Sequence, residues 1–223
     1  MPLDALAASY RSYPLRWTVA LLLPFLVFPQ IDLAVSGWFY QPGAGFYLKA
    51  LPFFRFILKD MPVIVIGAAV AVLVLGVAGA ALGRVFCGVT RQVAAFIVLS
   101  LALGPGVVVN LLLKDHWGRA RPSQIAEFGG SAHFTPPLMM ADQCTSNCSF
   151  SSGHGALGFW VIAFALLAPP RWRPLAVAAA LAFGVMVGVV RIAQGGHFLS
   201  DVVVSALVVV SLTLWLKQVL LKD

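Results

Sequence analysis

Residues 61–83 read MPVIVIGAAVAVLVLGVAGAALG, twenty-three positions without a charged side chain, which is the length a helix needs to cross the hydrocarbon of a bilayer. A chain in lipid must satisfy its own backbone hydrogen bonds, so a run of this kind predicts a transmembrane helix. Outward from it, comparable runs lie at 17–35, 92–113, 154–170, 174–192 and 198–216. With 61% hydrophobic residues, 10% charged residues and a mean hydropathy of +0.94, the chain of 223 residues is too apolar to cover a soluble domain. The sequence predicts an all-α polytopic membrane bundle of about six transmembrane helices, each near the required length. Residues 1–223 are expected to form a single domain, because the connections between runs are short.

The first run follows Arg11 and Arg16 but ends in Pro29-Gln30-Ile31-Asp32 with no small-x-small cleavage site, so it is expected to stay as an anchor. The net charge of +7 does not indicate nucleic acid, since the cations are scattered among apolar runs and form no contiguous stripe. Their placement instead sets orientation. Arg11, Arg16, Arg84, Arg91, Arg171, Arg173, Lys217 and Lys222 fall on one side, which the positive-inside rule makes cytoplasmic, with both termini there. Residues 36–60, 114–153 and 193–197 then face outward. Within the first of these, residues 47–59 combine Phe53, Phe54, Phe56 and Leu58 with Lys49, Arg55 and Lys59, and read either as an amphipathic segment on the outer leaflet or as an ordinary interfacial connection. Gly104-Pro105-Gly106 falls inside the third run, where a kink or a close helix approach is expected. No internal repeat and no low-complexity tract is present.

Three short clusters carry the chemistry. Lys114 closes the third run, and Arg121-Pro122 lies seven residues on. A compact ammonium and a planar guanidinium suit a tetrahedral oxyanion. Ser152-Gly153-His154 opens the fourth run: Ser152 suits a helix N-cap, Gly153 permits close backbone approach to an anion, and His154 is placed to donate a proton. Arg191 ends the fifth run, and His197 and Asp201, four residues apart, open the sixth, so that one helical face carries both. A carboxylate that accepts one imidazole N–H leaves the other nitrogen free to attack phosphorus. Each cluster alone fits a cap or a snorkelling cation, but three complementary sets on one membrane face describe a phosphate-transfer site. Cys144 and Cys148 sit in the longest polar loop, where a disulfide and two reduced thiols are equally open readings, and Cys87 stands alone.

Lys114-x6-Arg121-Pro122, Ser152-Gly153-His154 and Arg191-x5-His197-x3-Asp201 together resemble the three-part signature of the type 2 phosphatidic acid phosphatase family, in its membrane lipid-phosphatase branch. The match covers residues 114–201. It departs from the family pattern at Ser151, where proline is usual, and at Val190, where serine is common. The resemblance implies that His197 is a nucleophile forming a phosphohistidine, that Asp201 orients it, and that His154 protonates the leaving oxygen. It further implies that Lys114, Arg121, Ser152, Gly153 and Arg191 hold the phosphoryl oxygens, with no cofactor and no metal. Arg119 and His116 fall between the matching positions, and Arg119 reads either as a contact to a second phosphate or a sugar or, slightly favoured, as a residue among lipid headgroups.

The implied function is hydrolysis of a phosphomonoester or pyrophosphate on a membrane lipid, from the periplasmic side of a bacterial inner membrane. The outward loop with its cysteine pair and the Trp117-Gly118-Arg119 insert loosely resemble lipid A 1-phosphatases, which favours lipid A 1-phosphate over undecaprenyl pyrophosphate, phosphatidylglycerophosphate and phosphatidic acid. Three other readings compete. A lipid-to-lipid phosphotransferase would use the same groups. A catalytically dead binding protein would not need His154, His197 and Asp201 intact. A proton or anion transporter would place its charges near the bilayer midplane and not at one interface.

Overall fold

The computed structural model describes residues 9, 10 and 12–221, so Arg11 and Lys222 of the orientation count lie outside the described residues. Among the described residues the regular structure is helical: α1 (Pro14–Val27), α2 (Gln30–Gly37), α3 (Pro52–Leu82), α4 (Arg91–Lys114), α5 (Gly153–Ala165), α6 (Arg173–Ala193) and α7 (Leu199–Leu220). Helices α3, α4, α6 and α7 are long and apolar enough to cross a membrane, which makes this an integral membrane protein. Local chemistry sets the ends. Proline opens α1, α3 and α6 where a missing N–H costs nothing. Thr90 caps α4 by accepting from the Val93 amide at 3.2 Å, and α3 stops at Gly83, whose φ of +64° suits glycine.

Two of the six expected spans take another form. The run 17–35 breaks at Phe28-Pro29 into α1 and α2, bent by 82°, so the pair counts as one span at most. Pro29 has no amide to continue the helix, and the turn carries Asp32 into the protein interior, where its exposure is 0%. The run 154–170 yields α5, which at 1.5 Å per residue reaches only about 20 Å against the ~30 Å of a bilayer core. Its apolarity serves the protein interior: Ala156, Phe159 and Trp160 are buried, and α5 packs between α6 and α7. The structure therefore supplies four spanning helices, or five with the bent pair.

Small residues let these three helices close up. A side chain at Gly184 of α6 would meet the Phe159 ring of α5 at 2.3 Å, and one at Gly188 would meet Val202 of α7 at 2.4 Å. Helix α7 is the most enclosed span, with 50% of its apolar window buried against 22% for α3. At Gly104 a side chain would meet Val209 and Leu212 of α7 at 3.7 Å, an ordinary contact, and over Ala102–Lys114 α4 changes from α to π winding. Residues 47–59 are not a separate surface segment. They form a short 3-10 turn at Tyr47–Ala50 and then the first turns of α3, which bury Ile57 and leave Phe53, Arg55, Phe56 and Lys59 outward. Cys144 and Cys148 are joined as a disulfide with Cα atoms 5.7 Å apart.

Candidate active site

The three clusters meet at one end of the bundle: Lys114 ends α4, Ser152 and His154 open α5, Arg191 lies in the last turn of α6, and His197 lies two residues before α7. Arg84, Arg91, Arg173 and Lys217 occupy the opposite helix ends. Packing makes the convergence tight. A side chain at Gly153 would lie 3.4 Å from the Lys114 ammonium and 2.5 Å from the Asn110 carbonyl oxygen, and one at Gly196 would lie 2.4 Å from the Arg191 guanidinium.

His197 is fully buried, and its Nδ1 stands 2.7 Å from the Ser149 carbonyl. A carbonyl only accepts, so Nδ1 carries the hydrogen and Nε2 keeps its lone pair. That Nε2 is buried without a hydrogen-bond partner, as are Arg191 Nε and Ser151 Oγ. Burial, and then the charges of Arg191, Lys114 and Arg121, hold the His197 imidazole well below its ordinary pKa. It is a neutral, uncapped nitrogen base among cations.

Asp201 does not orient His197 in the expected way. An i, i+4 pair shares a face only when both residues ride on one helix, but α7 starts at Leu199, and Asp201 Oδ2 curls back to accept from the Phe198 amide at 2.8 Å. Its distance to His197 Nδ1 is 3.9 Å, which is an ion-pair contact and not a hydrogen bond. The same Oδ2 accepts from the Ser149 hydroxyl at 2.5 Å, so the carboxylate holds the residue whose carbonyl takes the imidazole hydrogen.

His154 is half-buried, and its Nε2 donates to the Leu58 carbonyl of α3 at 3.0 Å. That carbonyl is free because its helical partner four residues on is Pro62, which has no N–H. Burial, and then Arg191, push His154 down to about 4, while the Leu58 bond opposes the shift. Ser152 forms the foreseen N-cap, its Oγ accepting from the Gly155 amide at 3.2 Å. Arg191 is 5% exposed and donates from Nη1 to Gln194 Oε1, and Gln194 in turn donates to the Phe54 carbonyl at 2.7 Å. Arg121 donates to the Asn147 carbonyl from Nε and Nη2, at 3.2 and 2.7 Å. A pocket of about 300 Å³ opens beside Lys114, lined also by Asn110, Asp115 and Asn147, whose carbonyl holds Arg121. The larger cavity, about 890 Å³, is an apolar groove along α1, α6 and α7 away from the polar groups.

Arg119 corrects the sequence reading. It is fully buried, with Nη2 2.9 Å from Asp32 Oδ2 and Nη1 2.6 Å from Asp201 Oδ1, and it does not reach headgroups. Its guanidinium lies 4.3 Å over the Phe198 ring. Arg119 and Arg121 sit two apart, a spacing that on an extended chain predicts the same side for both, so nothing in the local sequence separates the buried arginine from the one at the site. Asp32, Ser149, Gln194 and Asn110 lie outside the three sequence clusters and join the site only through the fold. Asp32 is the one acid in the first apolar run, which was sign enough of a role. Among the described residues no group of three His, Cys, Asp or Glu side chains is placed to hold a metal ion.

Residues 93–223 match the PAP2 superfamily. A protein of Francisella tularensis subsp. novicida (strain U112) named lipid A 4'-phosphatase is 38% identical over 184 residues, covering 80% of this chain and 81% of its own. One of the same name from Rhizobium leguminosarum is 34% identical over 222 residues, covering 89% and 92%. No solved structure matches the chain. The matched segment exceeds half the chain and contains all three clusters, so the chain belongs to the PAP2 superfamily.

Proposed function

We propose that this membrane lipid phosphatase removes the 4'-phosphate of lipid A through a phosphohistidine on His197. The observation that carries the reading is the His197 ring, with Nδ1 held by the Ser149 carbonyl and Nε2 buried and unpartnered among Lys114, Arg121 and Arg191. The 4'-position comes from the names of the relatives, which do not support the 1-phosphate favoured by the loop resemblance.

In the reaction, the Nε2 lone pair attacks phosphorus in line with the sugar oxygen, the P–O bond breaks, and its electron pair leaves with that oxygen. Lys114, Arg121, Arg191 and the amides at the start of α5 take up charge on the phosphoryl oxygens, with Ser152 fixing that helix start and Gly153 admitting the phosphate. His154, protonated as the phosphate dianion offsets the neighbouring cations, gives a proton to the leaving oxygen. Its Nε2–H stays on Leu58, so this transfer falls to Nδ1. Water then attacks phosphorus, gives its proton to His154, and the P–N bond breaks to release orthophosphate. Asp201 acts on His197 through Ser149. The whole chain works as one domain whose site end faces the periplasm, a reading supported by Arg84, Arg91, Arg173 and Lys217 at the other helix ends.

The test is phosphate release by purified protein from lipid A carrying both phosphates, in chelator, with the remaining phosphate located by mass spectrometry. Loss of the 4'-phosphate alone, falling by about 10⁴-fold or more in His197→Ala, is the expected result. Loss of the 1-phosphate instead would reassign the position, and unchanged release by the variant would remove the nucleophile.

A further inference from the structure

We infer that Asp32, which lies outside the segment matching the superfamily, is a positioning residue for the reaction, acting on His197 through Arg119 and Asp201. The inference rests on the phosphatase reading above. The connections are continuous and buried throughout. Asp32 Oδ2 holds Arg119 Nη2 at 2.9 Å, and Asp32 Oδ1 accepts from the Ser200 amide at 2.9 Å. The Ser200 hydroxyl donates to Asp32 Oδ2 and accepts from Arg119 Nη1 at 2.9 Å. Arg119 Nη1 holds Asp201 Oδ1 at 2.6 Å, and Asp201 Oδ2 holds the Ser149 hydroxyl. Arg119 grips Ser149 a second time, its own carbonyl accepting from the Ser149 amide at 2.8 Å. Ser149 then takes the His197 hydrogen.

Two arguments separate this from a structural tie. Burying three charges at 0% exposure is costly, and apolar packing would secure α2 against α7 with less desolvation. The network also sets two carboxyl groups against one guanidinium, beneath a ring that becomes cationic when phosphorus bonds to it. Asp32 therefore acts on a species that exists during turnover: it keeps Nδ1–H directed at Ser149 and favours the charged ring. It touches neither substrate nor the attacking nitrogen, so its loss should lower kcat and leave KM nearly alone.

The experiment measures kcat and KM for lipid A dephosphorylation by wild type, Asp32→Asn, Ser200→Ala, Asp201→Asn and the Asp32→Asn/Asp201→Asn pair. Ser100→Ala serves as control, since it removes a buried hydrogen bond to the Trp160 indole. Displacement of a reacting group by about 1 Å costs ~100-fold, which is the kcat loss expected of Asp32→Asn with KM within about threefold. Ser200→Ala, which leaves the Ser200 amide bond to Asp32 intact, should lose about tenfold. The double variant should be no slower than Asp201→Asn, and Ser100→Ala should keep wild-type kcat. Folded Asp32→Asn with wild-type kcat, or losses that multiply in the double variant, would overturn the inference. If Asp32→Asn is not recovered folded, Ser200→Ala decides by the same criterion. Wild-type protein that releases no phosphate would overturn the enzymatic reading and this inference together, whereas active wild type with unchanged variants overturns the inference alone.

Discussion

His197 separates two regions that use arginine in opposite ways. On one side Arg119 is locked between two carboxyl groups at 2.9 and 2.6 Å, which match its charge. On the other, Arg121 and Arg191 donate to neutral oxygens of Asn147 and Gln194, which fix their direction and leave their charge uncompensated. The contrast is a rule for reading such sites: a cation matched by buried carboxylates is part of the framework, and one aimed by carbonyls is kept for an anion that arrives later. Composition cannot separate the two kinds, because Arg119 and Arg121 are the same residue two positions apart.

The largest effects should come from removing one arginine from each region. Arg119→Gln leaves Asp32 and Asp201 facing each other without their shared partner, and breaking a buried ion pair typically costs about 3–5 kcal/mol. Arg191→Gln removes a charge that has no carboxylate partner, so its stability cost should stay within about 1 kcal/mol, while the lost transition-state donor lowers kcat/KM by ~10²–10³. Thermal denaturation and phosphate release on both variants check this. The comparison breaks if Arg191→Gln unfolds as readily as Arg119→Gln.

A smaller effect should appear in the pH dependence. Burial, and then the neighbouring cations, push His154 down to about 4 in the free protein, and a bound phosphate dianion opposes the cations' share. The acid role needs protonated His154, so activity falls as pH rises through its pKa. The pKa that governs kcat belongs to the complex and lies higher than the one that governs kcat/KM. The basic limb of kcat should therefore sit at higher pH than that of kcat/KM, and the acid limb set by neutral His197 should lie well below pH 6.5. Coincident basic limbs would mean that the cations do not act on His154 as the geometry states.

How much of this was legible depends on the kind of signal. Apolar length exposed α3, α4, α6 and α7, and cluster spacing exposed Lys114, Arg121, His154, Arg191 and His197, because both are local properties of the chain. Apolar length misread α5, since burial in protein and exposure to lipid select the same side chains. It also misread the break at Pro29, where only the three-dimensional path shows that Asp32 turns inward. The partners of the site were hidden for a related reason. Ser149 and Leu58 act through main-chain carbonyls, which every residue possesses, and Asp201 reaches back to cap its own helix in place of pointing at His197.

The smallest effect would test whether α3, the least enclosed span, positions the acid. Pro62 lies inside α3, where a proline is unfavourable by about 3 kcal/mol relative to alanine in a helix interior. Its return is the Leu58 carbonyl, which no helical amide claims and which holds His154 Nε2 at 3.0 Å. Pro62→Ala restores an N–H that competes for that carbonyl. The helix should gain stability while His154 loses its fixed ring orientation, so the melting temperature rises and kcat falls by a few-fold, about three to ten. Stability and activity moving in opposite directions is an outcome that simple damage to the helix cannot produce. If both rise or neither moves, the His154 bond to α3 is incidental, and the acid is positioned from within α5 alone.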